Sequence, residues 1–165
     1  MEKTLLVYYS FEGNIRFAAE EIAKRCGAEL EELKVKNEPP RKGLAKFLHG
    51  GKSALFKDDP GLYPLGKDVR DYESVILAYP VWAGTFPPAV QQFLKQVSLK
   101  DKEVIAVAAS ASGNAEKSFV QLRNIIGEEA LVKTLSLQNP LKNKEQTIRK
   151  IEAFVADFHQ AASVN

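Results

Sequence analysis

The sequence predicts an α/β fold: a doubly wound, five-stranded parallel sheet held between two layers of helices. Three observations lead there. The runs Ser74 to Tyr79 (SVILAY) and Glu103 to Ala109 (EVIAVAA) are apolar without alternation, the mark of strands buried on both faces. Strand-forming runs take turns along the chain with stretches whose apolar residues recur at helical spacing, β then α, five times over. Small and polar residues gather behind three of the strands, at Ser10 to Asn14, Pro80 to Thr85 and Ser110 to Asn114.

The elements follow in order. Leu5 to Tyr9 is rich in strand formers, and Ser10 to Gly13 break it. Ile15, Ala18, Ala19, Ile22 and Cys26 then lie on one helical stripe. Asn14 is read as the cap of that helix, and Gly13 as the residue that frees the loop to close onto it. Ala28 to Lys36 reads as an edge strand, with Leu33 and Val35 alternating with charges and Leu30 out of register. Asn37 to Tyr72 departs from the pattern. It is broken by Pro39-Pro40, Gly50-Gly51, Pro60-Gly61 and Pro64. Leu44, Phe47, Leu48 and Leu55 predict a short helix or two half-helices there, among Lys42, Lys46, Lys52 and Lys57. A structureless stretch of that length is uncommon inside a domain, so the segment is expected to be folded, as a cover for a sheet edge or as a functional insertion.

After the strand at Ser74 comes the loop Pro80 to Thr85. Pro87-Pro88 opens a helix with Val90, Phe93, Leu94 and Val97 inward. The strand from Glu103 is followed by Ser110 to Gly113, and Asn114 leads a helix with Phe119, Leu122 and Ile126 inward. Leu131 to Leu137 reads as an outer strand with Leu131, Leu135 and Leu137 on one face. The last helix, Asn143 to Gln160, carries Ile148, Ile151, Phe154, Val155 and Phe158.

Composition narrows the function classes. The 165 residues suit one domain spanning 1–165, with 45% hydrophobic and 27% charged residues. No apolar run reaches the roughly 18 residues of a membrane span, and the opening residues do not read as a signal peptide. A lone cysteine, Cys26, fits a cytoplasmic protein without disulfides. The net charge of +2, without a basic block, argues against nucleic acid. His49 and His159 stand without carboxylate or cysteine at metal spacing, so no metal is expected. There is no GxSxG and no GxxxxGK[ST]. A phosphoacceptor receiver domain would need acids where the chain has Tyr9-Ser10 and Tyr79-Pro80.

In doubly wound sheets ligands bind beyond the carboxyl ends of the strands, where the winding reverses, and the three polar loops lie at such ends. The first amides of the helix after Gly13 are unpaired at the positive end of its dipole, and with Ser10 and Asn14 they make an anion cradle. Trp82 either packs on the core or stacks on a flat ligand. Ala83, Gly84, Ser112 and Gly113 leave backbone open to close approach. Together these suit a flat, phosphorylated heterocycle.

Ser10 to Ile15, SFEGNI, resembles the phosphate loop of the flavodoxin-like FMN proteins. Pro80 to Leu94, PVWAGTFPPAVQQFL, resembles the flavin loop and following helix of a bacterial branch of that family. The likeness runs from Leu5 to about Phe158 and is least familiar over residues 37–72. It implies strand order 2-1-3-4-5 and non-covalent FMN. It further implies that Ser10, Gly13, Asn14 and Ile15 hold the phosphate and that Trp82 lies against the isoalloxazine. Behind Pro80, the backbone of Val81, Ala83 and Gly84 would meet the ring edge, and Ser112 and Gly113 would bound the other side. Glu12 and Ile15 stand where the family has threonines. The expected role is electron transfer with a redox partner protein, the peptide at Ala83–Gly84 reorienting cheaply at Gly84 as the flavin takes up a proton. Two alternatives stay open: an NAD(P)H-dependent FMN oxidoreductase of the quinone-reductase type, suggested by the basic 37–72 segment, and a flavin-free binding domain.

Overall fold

The computed structural model describes residues 3–38 and 59–161, with side chains up to residue 157. Five strands form one all-parallel sheet: β1 (Thr4–Tyr8), β2 (Glu29–Glu32), β3 (Ser74–Pro80), β4 (Glu103–Ser110) and β5 (Leu131–Gln138). Their order is β2-β1-β3-β4-β5. The described helices are α1 (Asn14–Cys26), α2 (Pro88–Gln96), α3 (Glu116–Ile126) and α4 (Lys144–Ala161). A short 3-10 turn, Val69–Asp71, precedes β3. The helix expected around Leu44 to Leu55 lies outside the described residues.

Period-two alternation along the central strands sorts the core into two layers. Leu6, Tyr8, Ile76, Ala78, Ile105 and Val107 face α1 and α4. Val7, Tyr9, Val75, Leu77, Tyr79 and Ala106 face the opposite way, toward α2 and α3. β3 and β4 are buried on both faces because helices cover both, which is why their sequences do not alternate. No helix among the described residues is long and apolar enough to cross a membrane.

Leu30 is out of register with Leu33 and Val35, as expected: it packs on the α1 layer, while Leu33 and Val35, just beyond β2, join the α2–α3 layer. Two local readings are corrected. In β5, Leu131 does not share a face with Leu135 and Leu137. The pairing Val104↔Leu131 is followed by Ile105↔Lys133, a bulge that leaves Val132 over. One surplus residue inverts the side-chain parity, so Leu131 joins the α2–α3 layer and Leu137 the α1–α4 layer. Asn14 is the first residue of α1 rather than its cap; that position belongs to Gly13, with φ 94° and no side-chain bond.

β2 is shorter than its apolar pattern, yet the chain keeps the sheet's edge beyond it. The Leu33 amide donates to the Tyr8 carbonyl at 2.7 Å. Residues 34–37 then pair antiparallel with residues 60–63, through the bridge Val35↔Leu62 and bonds from the Lys36, Asn37 and Tyr63 amides. Cys26 is half-buried against the α1 layer, and burial raises its thiol pKa, as suits a packing residue rather than a reactive one.

Candidate functional site

The carboxyl ends of β1, β3 and β4 meet where the sheet's winding reverses, and their loops enclose a cleft. It holds about 560 Å³ counted out to its open mouth. Ser10, Glu12, Asn14 and Ile15 line it from the first loop, and Pro80, Val81 and Trp82 from the second. The third loop contributes Ala109, Ser110 and Ala111, and the turn after β5 adds Asn139 and Pro140. Of the residues expected to form the site, Gly13, Ala83, Gly84, Ser112 and Gly113 are not among those lining the cleft; they shape the loops behind it.

The first loop turns from β1 into α1 in five residues. Gly13 supplies the left-handed conformation at its end, where a side chain would also meet Leu141 Cδ1 at 3.4 Å. The Arg16 amide donates to Ser10 Oγ at 3.0 Å. That leaves the hydroxyl hydrogen of Ser10 available toward the cleft. The amides of Asn14 and Ile15, in the first turn of α1, have no carbonyl to bond within the helix. Asn14 Oδ1 accepts the Leu141 amide at 3.0 Å. Its side chain therefore braces the β5–α4 turn, which brings Asn139 and Pro140 to the cleft. Glu12 is exposed, and the partner of Arg16 is Glu32, at 2.5 Å, not Glu12. A Ser10→Ala variant should lose about 1 kcal/mol with the bond that its hydroxyl accepts from the Arg16 amide. Urea unfolding of the apo-protein measures this, with Ser10→Thr expected to recover most of it.

The second loop is a two-residue hairpin. The Trp82 and Thr85 amides donate to each other's carbonyls at 2.9 and 3.0 Å. Both central residues have positive φ, 50° at Ala83 and 77° at Gly84, the backbone of a type I′ turn. This bears on the expected peptide reorientation. Turning the Ala83–Gly84 peptide over would give a type II′ turn, whose first central position calls for glycine. That position is Ala83, so Gly84 alone does not make the change cheap.

Of the two readings left open for Trp82, packing on the core is what the structure shows, at a place that also borders the cleft. The residue is only 4% exposed and belongs to the α2–α3 layer. The rings of Tyr9 and Phe11 meet it edge-on, with centroids 5.9 and 5.8 Å away. Tyr9 in turn donates its hydroxyl to Glu38 Oε2 at 3.3 Å. Burial, with Glu38 beside it, raises the Tyr9 pKa, so the phenol stays protonated across the physiological range. Deeper in the same layer, Tyr79 and Ser118 share a hydrogen bond of 3.1 Å, and burial raises the Tyr79 pKa too.

The third loop is tied down from within. Ser110 Oγ donates to the Asn114 carbonyl at 3.1 Å, and the Asn114 amide donates to Ser112 Oγ at 3.2 Å. Gln138 and Asn139 side-chain amides both donate to the Ala111 carbonyl. Asn139 itself has φ 40°. Sequence reasoning did not single out Phe11, Asn139 and Pro140, which line the cleft, or Tyr9, which flanks Trp82. The Asn-Pro pair at 139–140 was an available turn signal; the aromatic contacts join loops far apart in sequence and had none.

The cleft thus offers free helix amides and a hydroxyl on one side, an aromatic edge on another, and small residues between. That donor set fits a phosphate carried by a planar group.

The chain resembles proteins whose descriptions bear on this site. The family described as flavodoxin matches residues 3–154. No curated protein matches. Among solved structures, a Bacteroides uniformis protein provisionally called a flavoprotein is 21% identical, with TM-score 0.75, covering 92% of this chain and 98% of that one. A flavoprotein from Lactobacillus acidophilus NCFM in complex with FMN is 22% identical, with TM-score 0.62, covering 88% and 98%. Oxidised flavodoxin 2 from Bacillus cereus is 16% identical, with TM-score 0.59, covering 96% and 99%. At these identities the likeness speaks for the fold, the same three-layer arrangement with strand order 2-1-3-4-5. With the family matched over nearly its whole length and the sheet wound in that order, the chain belongs to the flavodoxin family.

Proposed function

We propose that the chain binds FMN non-covalently in this cleft and serves in electron transfer with a partner protein in the cytoplasm. The observation that carries the reading is the meeting of the unpaired Asn14 and Ile15 amides, the Ser10 hydroxyl and the Trp82 ring around one cleft. The phosphate belongs at the start of α1, against Ser10 and those amides. Glu12 also borders the cleft, but it is exposed, so water screens its carboxylate from the phosphate. The isoalloxazine belongs between the Val81–Trp82 wall and Ala109–Ala111. FMN supplies the redox chemistry when bound; the chain holds it, orients it and limits its contact with water.

A visible spectrum of protein mixed with FMN and desalted, then exposed anaerobically to NADPH and NADH, tests this. Retained flavin absorbance that neither nucleotide bleaches is the expected result. Rapid bleaching would make the protein an NAD(P)H-dependent oxidoreductase and turn attention to Lys42, Lys46, Lys52 and Lys57, which lie outside the described residues. No retained flavin would overturn the FMN reading and leave a flavin-free binding domain.

A further inference from the structure

The turn between β5 and α4 is bonded to two other walls of the cleft. On one side the Leu141 amide donates to Asn14 Oδ1 at 3.0 Å, which ties the turn to the first loop. On the other, the side-chain amides of Gln138 and Asn139 donate to the Ala111 carbonyl at 3.0 and 3.2 Å. The Asn139 backbone amide adds a bond to the Ser110 carbonyl at 3.2 Å. The turn is also closed on itself. The Lys142 and Asn143 amides donate to the Asn139 carbonyl at 2.9 and 3.0 Å, and Asn143 Nδ2 donates to the Gln138 carbonyl at 2.9 Å. Asn139 holds φ 40°, a left-handed conformation that asparagine enters more readily than most side chains, and Pro140 after it is buried. A turn bonded in this way moves as one piece. Asn14, Ser110, Ala111, Asn139 and Pro140 all line the cleft.

We infer that the Asn14 side chain is a positioning residue: acting through the β5–α4 turn, it sets the place of Ser110 and Ala111 on the far wall, so that the two ends of the ligand bind as a unit. The inference rests on the FMN reading above. In that reading the backbone amide of Asn14 meets the phosphate, while Ser110 and Ala111 border the isoalloxazine. The side chain has a separate job. Its Oδ1 is spent on Leu141, so what it transmits is the position of the first loop. The turn passes that position to the third loop through Gln138 and Asn139. Loops that share one brace are ordered before the ligand arrives, which lowers the cost of ordering them on binding.

The test is a double-mutant cycle on the dissociation constant of FMN. One arm is Asn14→Ala, which removes the acceptor of the Leu141 amide. The other is Gln138→Met with Asn139→Gly, which removes both side-chain donors to Ala111 while glycine keeps the left-handed backbone. Each arm should weaken FMN about tenfold, and the two together only about tenfold to thirtyfold, because either cut releases the same brace. In the apo-protein, Asn14→Ala should speed hydrogen exchange at the Asn139 amide several-fold, although the bond of Asn14 is to Leu141. Asn14→Asp, which keeps an oxygen for Leu141, should leave that exchange as in wild type. Losses that multiply to about a hundredfold, or an arm without loss, would overturn the coupling across the cleft. Unmoved Asn139 exchange in Asn14→Ala would overturn the positioning role. Wild-type protein that binds no FMN would remove the FMN reading, and the exchange experiment would still decide whether Asn14 acts through the turn.

Discussion

Truncating Trp82 to alanine will lower the stability of the apo-protein by about 3–5 kcal/mol, the range for deleting a large aromatic from a packed interior. The ring is almost wholly enclosed, so its loss removes apolar surface from the α2–α3 layer and leaves a cavity between Tyr9, Phe11 and the hairpin. Backbone cannot close that gap easily, because Trp82 sits at the base of a hairpin whose two cross-bonds fix its position. Urea unfolding checks this: at an m-value of about 1–3 kcal/mol/M the midpoint should fall by more than about 1 M. Trp82→Phe keeps an edge-on ring and should cost less than half as much. FMN retention should be lost in the alanine variant and weakened in the phenylalanine variant. A stability change under about 1 kcal/mol for Trp82→Ala would mean that the ring carries little packing and serves the ligand alone.

The second large effect is at Gly84. Gly84→Val should destabilise by about 2 kcal/mol, because a β-branched residue is forced to φ 77°. A Cβ there would also come within 3.1 Å of Lys117 Cδ, which adds little to that cost because an exposed, flexible side chain can move aside. Thermal unfolding should show a fall of about 4–8 °C for a chain of this size. One residue earlier two opposing terms cancel. Ala83 already sits in the left-handed region, so Ala83→Gly relieves strain of about 1 kcal/mol while freeing the unfolded chain by a similar amount. Its melting temperature should stay within about 2 °C of wild type. A glycine there also opens the type II′ turn that Ala83 resists, so Ala83→Gly is the variant in which the 83–84 peptide reorients freely.

Residue pattern carried much of this architecture and little of its detail, for reasons visible at single positions. Ser74 to Tyr79 and Glu103 to Ala109 were legible as central strands because burial on two faces removes polar residues outright. The loops behind them were legible as neighbours around one cleft because parallel strands end together. Val132 was not legible as a bulge, since one surplus residue leaves no compositional trace and yet reverses every later side chain of β5. Asn14 was misread for a different reason. An asparagine before an apolar stripe is usually a cap, and its partner here is Leu141, 127 residues away. The same distance hid Asn139 and Pro140 as part of the cleft. Ser112 and Gly113 looked like open backbone, but the hydroxyl of Ser112 is spent within its own loop and Gly113 lies against Gln138.

The antiparallel pairing of residues 34–37 with 60–63 has a consequence for how this protein can change. The chain departs from the sheet and rejoins it at neighbouring points, about one strand spacing apart. Whatever joins those points closes a loop whose entropic cost rises by only about 0.6 kcal/mol for each doubling of its length. The departing end is moored to the site, since Glu38 holds the hydroxyl of Tyr9, the ring that flanks Trp82. Natural variation can therefore exchange this stretch wholesale, long for short or basic for acidic, while the sheet and the cleft at the ends of β1, β3 and β4 stay as they are.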